Sequence, residues 1–97
     1  MSKICIVTMN AKRPNAKDLS SSCSNQLHEA ELAALRQNNS KIAAKLSDEE
    51  LAIEFEKQFS LYHSLVADGY VVEFETEWIE RDWPKPDTIA YTYKFVG

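Results

Sequence analysis

Residues 47–83, with the sequence SDEELAIEFEKQFSLYHSLVADGYVVEFETEWIERDW, contain the pattern that decides the fold. Ser47 is followed three positions later by Glu50, which is the spacing of a capping box at the start of a helix. Apolar residues then recur in steps of three and four along one helical face. They are Leu51, Phe55, Phe59, Tyr62 and Val66. Gly69 can adopt the left-handed conformation that ends a helix, so the pattern predicts one amphipathic helix that stops at Asp68-Gly69.

After Tyr70 the period of the sequence changes from that of a helix to that of a strand. Phe74 and Trp78 fall on one face of this predicted strand, and three glutamates alternate with them on the other. A turn with two prolines follows, and residues 88–96 alternate again. The two segments predict a hairpin in which Lys94 lies opposite Glu73 or Glu75.

The chain before residue 47 predicts a buried strand, a loop and a helix. Residues 3–9 (KICIVTM) are apolar on both faces, which is typical of an interior strand or one covered by a partner. Residues 10–19 are basic and aperiodic, which indicates a surface loop. The serines at 20–24 are candidate caps for the first helix. Asn39 favours a break in that helix, and the alternative is a continuous helix with Asn39 buried in a heptad seam.

These elements together predict an α+β fold with the order β-α-α-β-β. The expected sheet has three strands, is mainly antiparallel and carries two helices packed on one face. Residues 1–97 are expected to form a single compact domain, because a chain of this length can build only one modest core.

Several classes of active site lack their sequence requirements. Two glycines are too few for a phosphate-binding loop. The soft metal ligands have no compact spacing beyond the pair Cys23 and His28, so neither zinc nor a thiol nucleophile is expected. They are Cys5, Cys23, His28 and His63. We therefore expect no enzymatic activity, no cofactor and no metal. Apolar runs are too short to cross a bilayer, which favours a cytoplasmic protein with reduced thiols.

Charge is distributed unevenly along the chain. Residues 47–83 hold eleven acidic and two basic side chains, a net charge of −9, whereas the whole chain carries −4. Such a surface would repel a polyanion, so direct nucleic-acid binding is not expected. The alternating glutamates instead repeat every ~6.6 Å, which broadly resembles the repeat of backbone phosphates. The predicted partner-binding residues are Glu54, Glu73, Glu75, Glu77, Glu80 and Asp82.

These observations predict a non-enzymatic acidic binding protein that occupies the basic surface of a protein or nucleoprotein complex. By analogy of size and charge, inhibitors carried by phages or mobile elements, including anti-CRISPR proteins, have this character. One alternative is a sponge for a nucleotide-like ligand, with Trp78, Trp83, Tyr91 and Tyr93 as its pocket and Lys12, Arg13 and Lys17 as its phosphate contacts. Another is an assembly subunit, for example a homodimer, that pairs through the apolar first strand. An outward glutamate face that only solubilises the protein also explains the pattern.

Overall fold

The computed structural model describes residues 2–85, which form three strands and four helices. The strands are β1 (Ser2–Lys12), β2 (Ser21–His28) and β3 (Val71–Arg81). Between β2 and β3 lie α1 (Glu29–Asn38), α2 (Ser40–Ala43), α3 (Asp48–Glu56) and α4 (Ser60–Ala67). The α+β class and the three-stranded antiparallel sheet are therefore confirmed, but the element order differs from the prediction. The predicted strand at 88–96 and its Lys94 lie outside the described residues.

The sheet has the order β2-β1-β3, and both pairings are antiparallel. β1 is thus the central strand, as expected for a segment that is apolar on both faces. Its register places Cys5 opposite Leu27 of β2 and Trp78 of β3. Because β1 is hydrogen-bonded on both sides, it has no free edge for pairing with a second subunit. Assembly through other surfaces stays a prediction.

Strand β2 is the main departure from the sequence prediction. Residues 21–28 were expected to begin the first helix, but they are extended and pair with β1. His28 is the actual N-cap of α1: its Nδ1 accepts from the backbone N–H of Ala30 at 3.0 Å. The Glu31 carboxylate accepts from the His28 backbone N–H at 3.1 Å, which completes a capping box. The loop predicted at 10–19 also begins later than expected, because β1 continues to Lys12.

The predicted break at Asn39 is confirmed, whereas the single helix predicted after Ser47 is divided. Asn39 ends α1 and precedes α2, and its side-chain amide donates to the carbonyl of Leu35 at 2.9 Å. The second helix is interrupted between Glu56 and Ser60, so α3 and α4 are separate. Both predicted termini are correct. Ser47 and Glu50 form the capping box, and Gly69 has a φ of +87° in a Schellman ending.

The described helices pack against one face of the sheet and do not cover the other face. Cys5 and Val7 of β1 point toward the helices and join a buried cluster of apolar residues. Its other members are Leu27, Leu32, Leu35, Ala43, Leu51, Ala52 and Phe55. Because side chains alternate along a strand, the even-numbered residues of β1 and the odd-numbered residues of β3 lie on the opposite face. We call this second surface the open face.

Candidate partner-binding site

Three of the predicted binding residues form a row on the open face. Glu73, Glu75 and Glu77 lie on β3 opposite Asn10, Thr8 and Ile6 of β1, and all three glutamates are exposed. Successive carboxylates along a strand are separated by two residues, or roughly 6.6–6.8 Å. The predicted outward alternation is therefore confirmed. We call these three residues the carboxylate row.

The surface beside the carboxylate row is polar and uncharged. On β1 and β2, Thr8 and Ser24 share a hydroxyl–hydroxyl hydrogen bond of 2.8 Å, and Ser22 donates to the side-chain oxygen of Asn10 at 2.8 Å. These short side chains are hydrogen-bonded to each other across the strands. The part of the open face beside Glu73 and Glu75 is consequently hydrophilic, and it is negative along β3.

The carboxylate row takes part in no ion pair within residues 2–85. The ion pairs in this part of the chain join Arg36 to Asp48 at 2.8 Å and Lys57 to Glu54 at 3.4 Å. Like charges on neighbouring positions of one face repel each other, and salt screens this repulsion only partly at such short spacing. Within residues 2–85, the negative charge of the row is therefore not neutralised by an ion pair.

A basic residue closes one end of the open face, but its side chain is already engaged. Arg81 donates from Nη2 to Oε1 of Gln26 at 2.6 Å, and its guanidinium lies 4.3 Å from the ring centre of Trp83. Ser2 Oγ in turn donates to the Trp83 carbonyl at 2.8 Å. Because Gln26 and Glu77 both pair with Ile6, the contact with Gln26 brings the Arg81 side chain over the open face at the Glu77 end of the carboxylate row.

The structure does not bring the other predicted binding residues to this surface. Glu80 alternates to the helix-covered side of β3, and Asp82 lies beyond the end of the strand. Glu54 is on α3, where it pairs with Lys57. The single acidic side inferred from the sequence is therefore divided, and only Glu73, Glu75 and Glu77 share one face.

A second acidic surface was not foreseen in the sequence. It is a groove of about 650 Å³ between α1, α3 and the end of β3. Its lining includes Lys3, Glu29, Asp48, Glu49, Trp78 and Glu80. Trp78 donates from its indole nitrogen to Oε1 of Glu49 at 2.7 Å, and this hydrogen bond is the main reason that the pKa of Glu49 is lowered. Glu49 lies in the first turn of α3, and its contact with Trp78 depends on tertiary packing that the local sequence does not indicate.

A third acidic group, Glu56, differs from the others because it is buried. Only 5% of its surface is exposed, and burial raises the pKa of its carboxyl group. Asn25 of β2 donates to Oε2 at 2.9 Å, whereas Oε1 is buried without a hydrogen-bond partner in residues 2–85. The sequence pattern does not indicate this burial, because it depends on the packing of α3 against Asn25 of β2.

The parts of the proposed nucleotide pocket are separated. Trp78 is level with Cys5, whereas Lys12 is level with Val71, so they lie at opposite ends of β3. In the loop after β1, the Arg13 guanidinium lies 4.9 Å from the ring centre of Tyr70. The loop and Trp78 therefore do not form one pocket within residues 2–85, and Tyr91 and Tyr93 lie outside that range.

The only compact pair of soft ligands is also separated. Cys23 and His28 belong to β2, where they pair with Met9 and Ile4 and project from opposite faces of the sheet. The two side chains therefore cannot act together as a thiol–imidazole pair. In the part of the chain that is described, no three potential ligands among His, Cys, Asp and Glu come together.

The described helices are too short or too polar to cross a lipid bilayer. Protein-family models, curated protein sequences and solved structures yield no match to this chain.

Proposed function

We propose that this protein is a non-enzymatic inhibitor whose carboxylate row occupies the basic, nucleic-acid-binding surface of a partner protein or nucleoprotein complex. The observation that carries the proposal is the alignment of Glu73, Glu75 and Glu77 on an exposed sheet face without ion-pair partners in residues 2–85. Glutamate is a poor strand former, so three glutamates at alternate positions of one strand indicate that their charge has a function.

The geometry of the row favours a partner with regularly spaced basic side chains. A strand holds its carboxylates at a fixed repeat and needs little ordering on binding, in contrast to a flexible acidic tail. Lysine and arginine side chains that normally contact successive phosphates would meet carboxylates at a comparable spacing. Opposite charges would also accelerate the encounter at low salt.

The first experiment measures binding of a fluorescent deca-arginine peptide by anisotropy at several salt concentrations. We expect the wild type to bind at low salt and to weaken as salt rises, because the contacts are screened. Replacing all three glutamates of the carboxylate row with Gln should weaken binding at least tenfold, and replacing them with Lys should abolish it.

A matched control separates position from net charge. The variant Asp18→Asn, Glu31→Gln, Asp68→Asn changes the net charge by the same amount but leaves the open face intact. It should retain most of the binding. Equal losses in the control and in the Gln variant of the row would show that only total charge matters, and the row would then be a solubilising face.

The second experiment addresses the natural partner. Proteins retained from cells by the wild type but not by the Lys variant should be purified and tested for release of bound DNA or RNA upon addition of this protein. Release by the wild type and not by the Lys variant would support inhibition by occupation of the nucleic-acid surface. Binding that leaves the nucleic acid in place would contradict it.

A further inference from the structure

A cavity on the helix-covered side of the sheet has the composition of a ligand site. It measures about 240 Å³ and lies between β2, the break after α3, and α4. Its lining includes Cys23, Asn25, Glu56, Phe59, Leu61 and Tyr62. This volume corresponds to roughly eight water molecules and lies below the range of drug-sized pockets, so the cavity suits a small molecule.

The surroundings of Glu56 disfavour the charged form of its carboxyl group. It is the last residue of α3, where the negative end of the helix dipole disfavours a carboxylate. Burial disfavours its charged form further, and the one hydrogen bond from Asn25 leaves Oε1 without a partner. A buried group of this kind calls for an explanation, and a bound donor that carries positive charge would supply one.

Among residues 2–85, the side chains near Glu56 do not supply that charge. Lys57 directly follows Glu56, but its ammonium group pairs with Glu54 and lies 5.9 Å from the ring centre of Phe74. The titratable side chains that line the cavity beside Glu56 are Cys23 and Tyr62, and neither is cationic. A cation that pairs with Glu56 would therefore come from outside the cavity lining.

The remaining walls indicate what the rest of the ligand looks like. Phe59 and Tyr62 present aromatic rings, and rings attract cations while also packing against hydrocarbon. Leu61 lines the same cavity and is 46% exposed, which gives the cavity a mouth toward solvent. A carboxylate would be repelled by Glu56, and a neutral alcohol could donate a hydrogen bond but would not balance its charge.

From this arrangement we infer that the cavity binds a small primary alkylammonium ion, with the ammonium group on Glu56 and the alkyl chain against Phe59, Leu61 and Tyr62. The site lies on the opposite side of the sheet from the carboxylate row and is independent of the proposed function. Oε1 is closed to solvent in the structure, so binding requires a small displacement of the Glu56 carboxyl group or of the adjacent Tyr62 ring.

The test uses n-butylammonium chloride as the probe and n-butanol as the uncharged control. Titration into the ¹⁵N-labelled full chain should shift the Asn25 side-chain amide signals saturably, because that amide donates to Glu56. Butanol at the same concentrations should not. The butylammonium affinity should also fall as pH decreases and Glu56 becomes protonated.

Two variants locate the binding site. Glu56→Gln should weaken butylammonium binding at least tenfold, whereas Glu29→Gln, at an exposed position at the start of α1, should leave it unchanged. Leu61→Trp should block the mouth of the cavity, and it provides an independent test if Glu56→Gln does not fold. The inference is overturned if butylammonium causes no saturable shift, or if a folded Glu56→Gln or Leu61→Trp variant binds it as the wild type does.

Discussion

Phe55 and Phe59, at the break between α3 and α4, provide a test of how the helices are held against the sheet. Phe55 is 6% exposed and belongs to the buried cluster, whereas Phe59 is only partly buried and packs against that cluster from its edge. Their ring centres are 5.1 Å apart and the ring planes are inclined at 73°. This is an edge-to-face contact, which contributes beyond simple burial.

The structure changes the stability prediction that the sequence alone would support. From the apolar stripe, Phe59→Ala would be expected to cost ~3–5 kcal/mol, as for a fully buried phenylalanine. Because Phe59 is only partly buried, Phe59→Ala should cost less, ~2–3 kcal/mol, and the larger loss of ~3–5 kcal/mol should fall on Phe55→Ala. The double variant should lose ~0.5–1.5 kcal/mol less than the sum, because each single substitution already removes the ring contact.

Urea unfolding followed by tryptophan fluorescence measures all four free energies of the cycle. Leu61→Ala serves as the control, since Leu61 is exposed and should contribute less than ~1 kcal/mol. A loss for Phe59→Ala that equals or exceeds the loss for Phe55→Ala would refute the assignment of the core. Strict additivity in the double variant would refute the energetic role of the ring contact.

Four further predictions concern individual residues. Ser47→Ala should cost ~1 kcal/mol in urea unfolding, because it removes the N-cap of α3, and a Thr replacement should restore most of it. Gly69→Ala should cost ~1–2 kcal/mol from its φ of +87° alone, since an added Cβ would meet nothing within 4 Å; a neutral result would disprove the strain. Because the pKa of Glu56 is raised in the folded state, stability should fall as pH rises from ~4 through that pKa, and Glu56→Gln should remove this component of the pH dependence. Burial and the nearby acids Glu49 and Asp48 raise the pKa of Cys5 to about 11, so a thiol reagent at pH 8 should modify the more exposed Cys23 first.

The elements that were predicted correctly are those whose signal is local. The capping box at Ser47 and the left-handed Gly69 are each specified by a few adjacent residues, and both occur as expected. The alternation of Glu73, Glu75 and Glu77 with Phe74 and Trp78 likewise determines which side chains face outward.

Strand β2 was not predicted, because its residues are held in the sheet by pairing with β1 and have no apolar alternation of their own. Residues 21–26 are serine, cysteine, asparagine and glutamine, which form no apolar alternation and are common as helix caps. Their pairing depends on β1, through backbone hydrogen bonds and side-chain contacts such as that between Thr8 and Ser24. A polar edge strand of this kind becomes apparent only when its partner strand is known.

The site residues show the same division between local and tertiary information. The faces of β3 could be assigned from its period, so the carboxylate row was predicted. The groove around Trp78 and Glu49, and the burial of Glu56 beside Asn25, join residues 29 and 31 positions apart. The periodicity of a single helix or strand does not show which residues of two different elements will be in contact. The interruption between α3 and α4 was hidden for a related reason, since the apolar stripe continues through it.

The central position of β1 has a consequence for how the chain folds as it is synthesised. β1 can pair with β2 soon after both emerge, because their residues are close in sequence, but its other edge waits for β3, as the pairing of Ser2 with Arg81 shows. Until residues 71–81 are available, the most apolar strand of the sheet has one unpaired edge. Long-range pairing of this kind slows folding, and an unpaired edge invites association between nascent chains. The interval between synthesis of β2 and of β3 is therefore the stage at which this small protein is most exposed to aggregation.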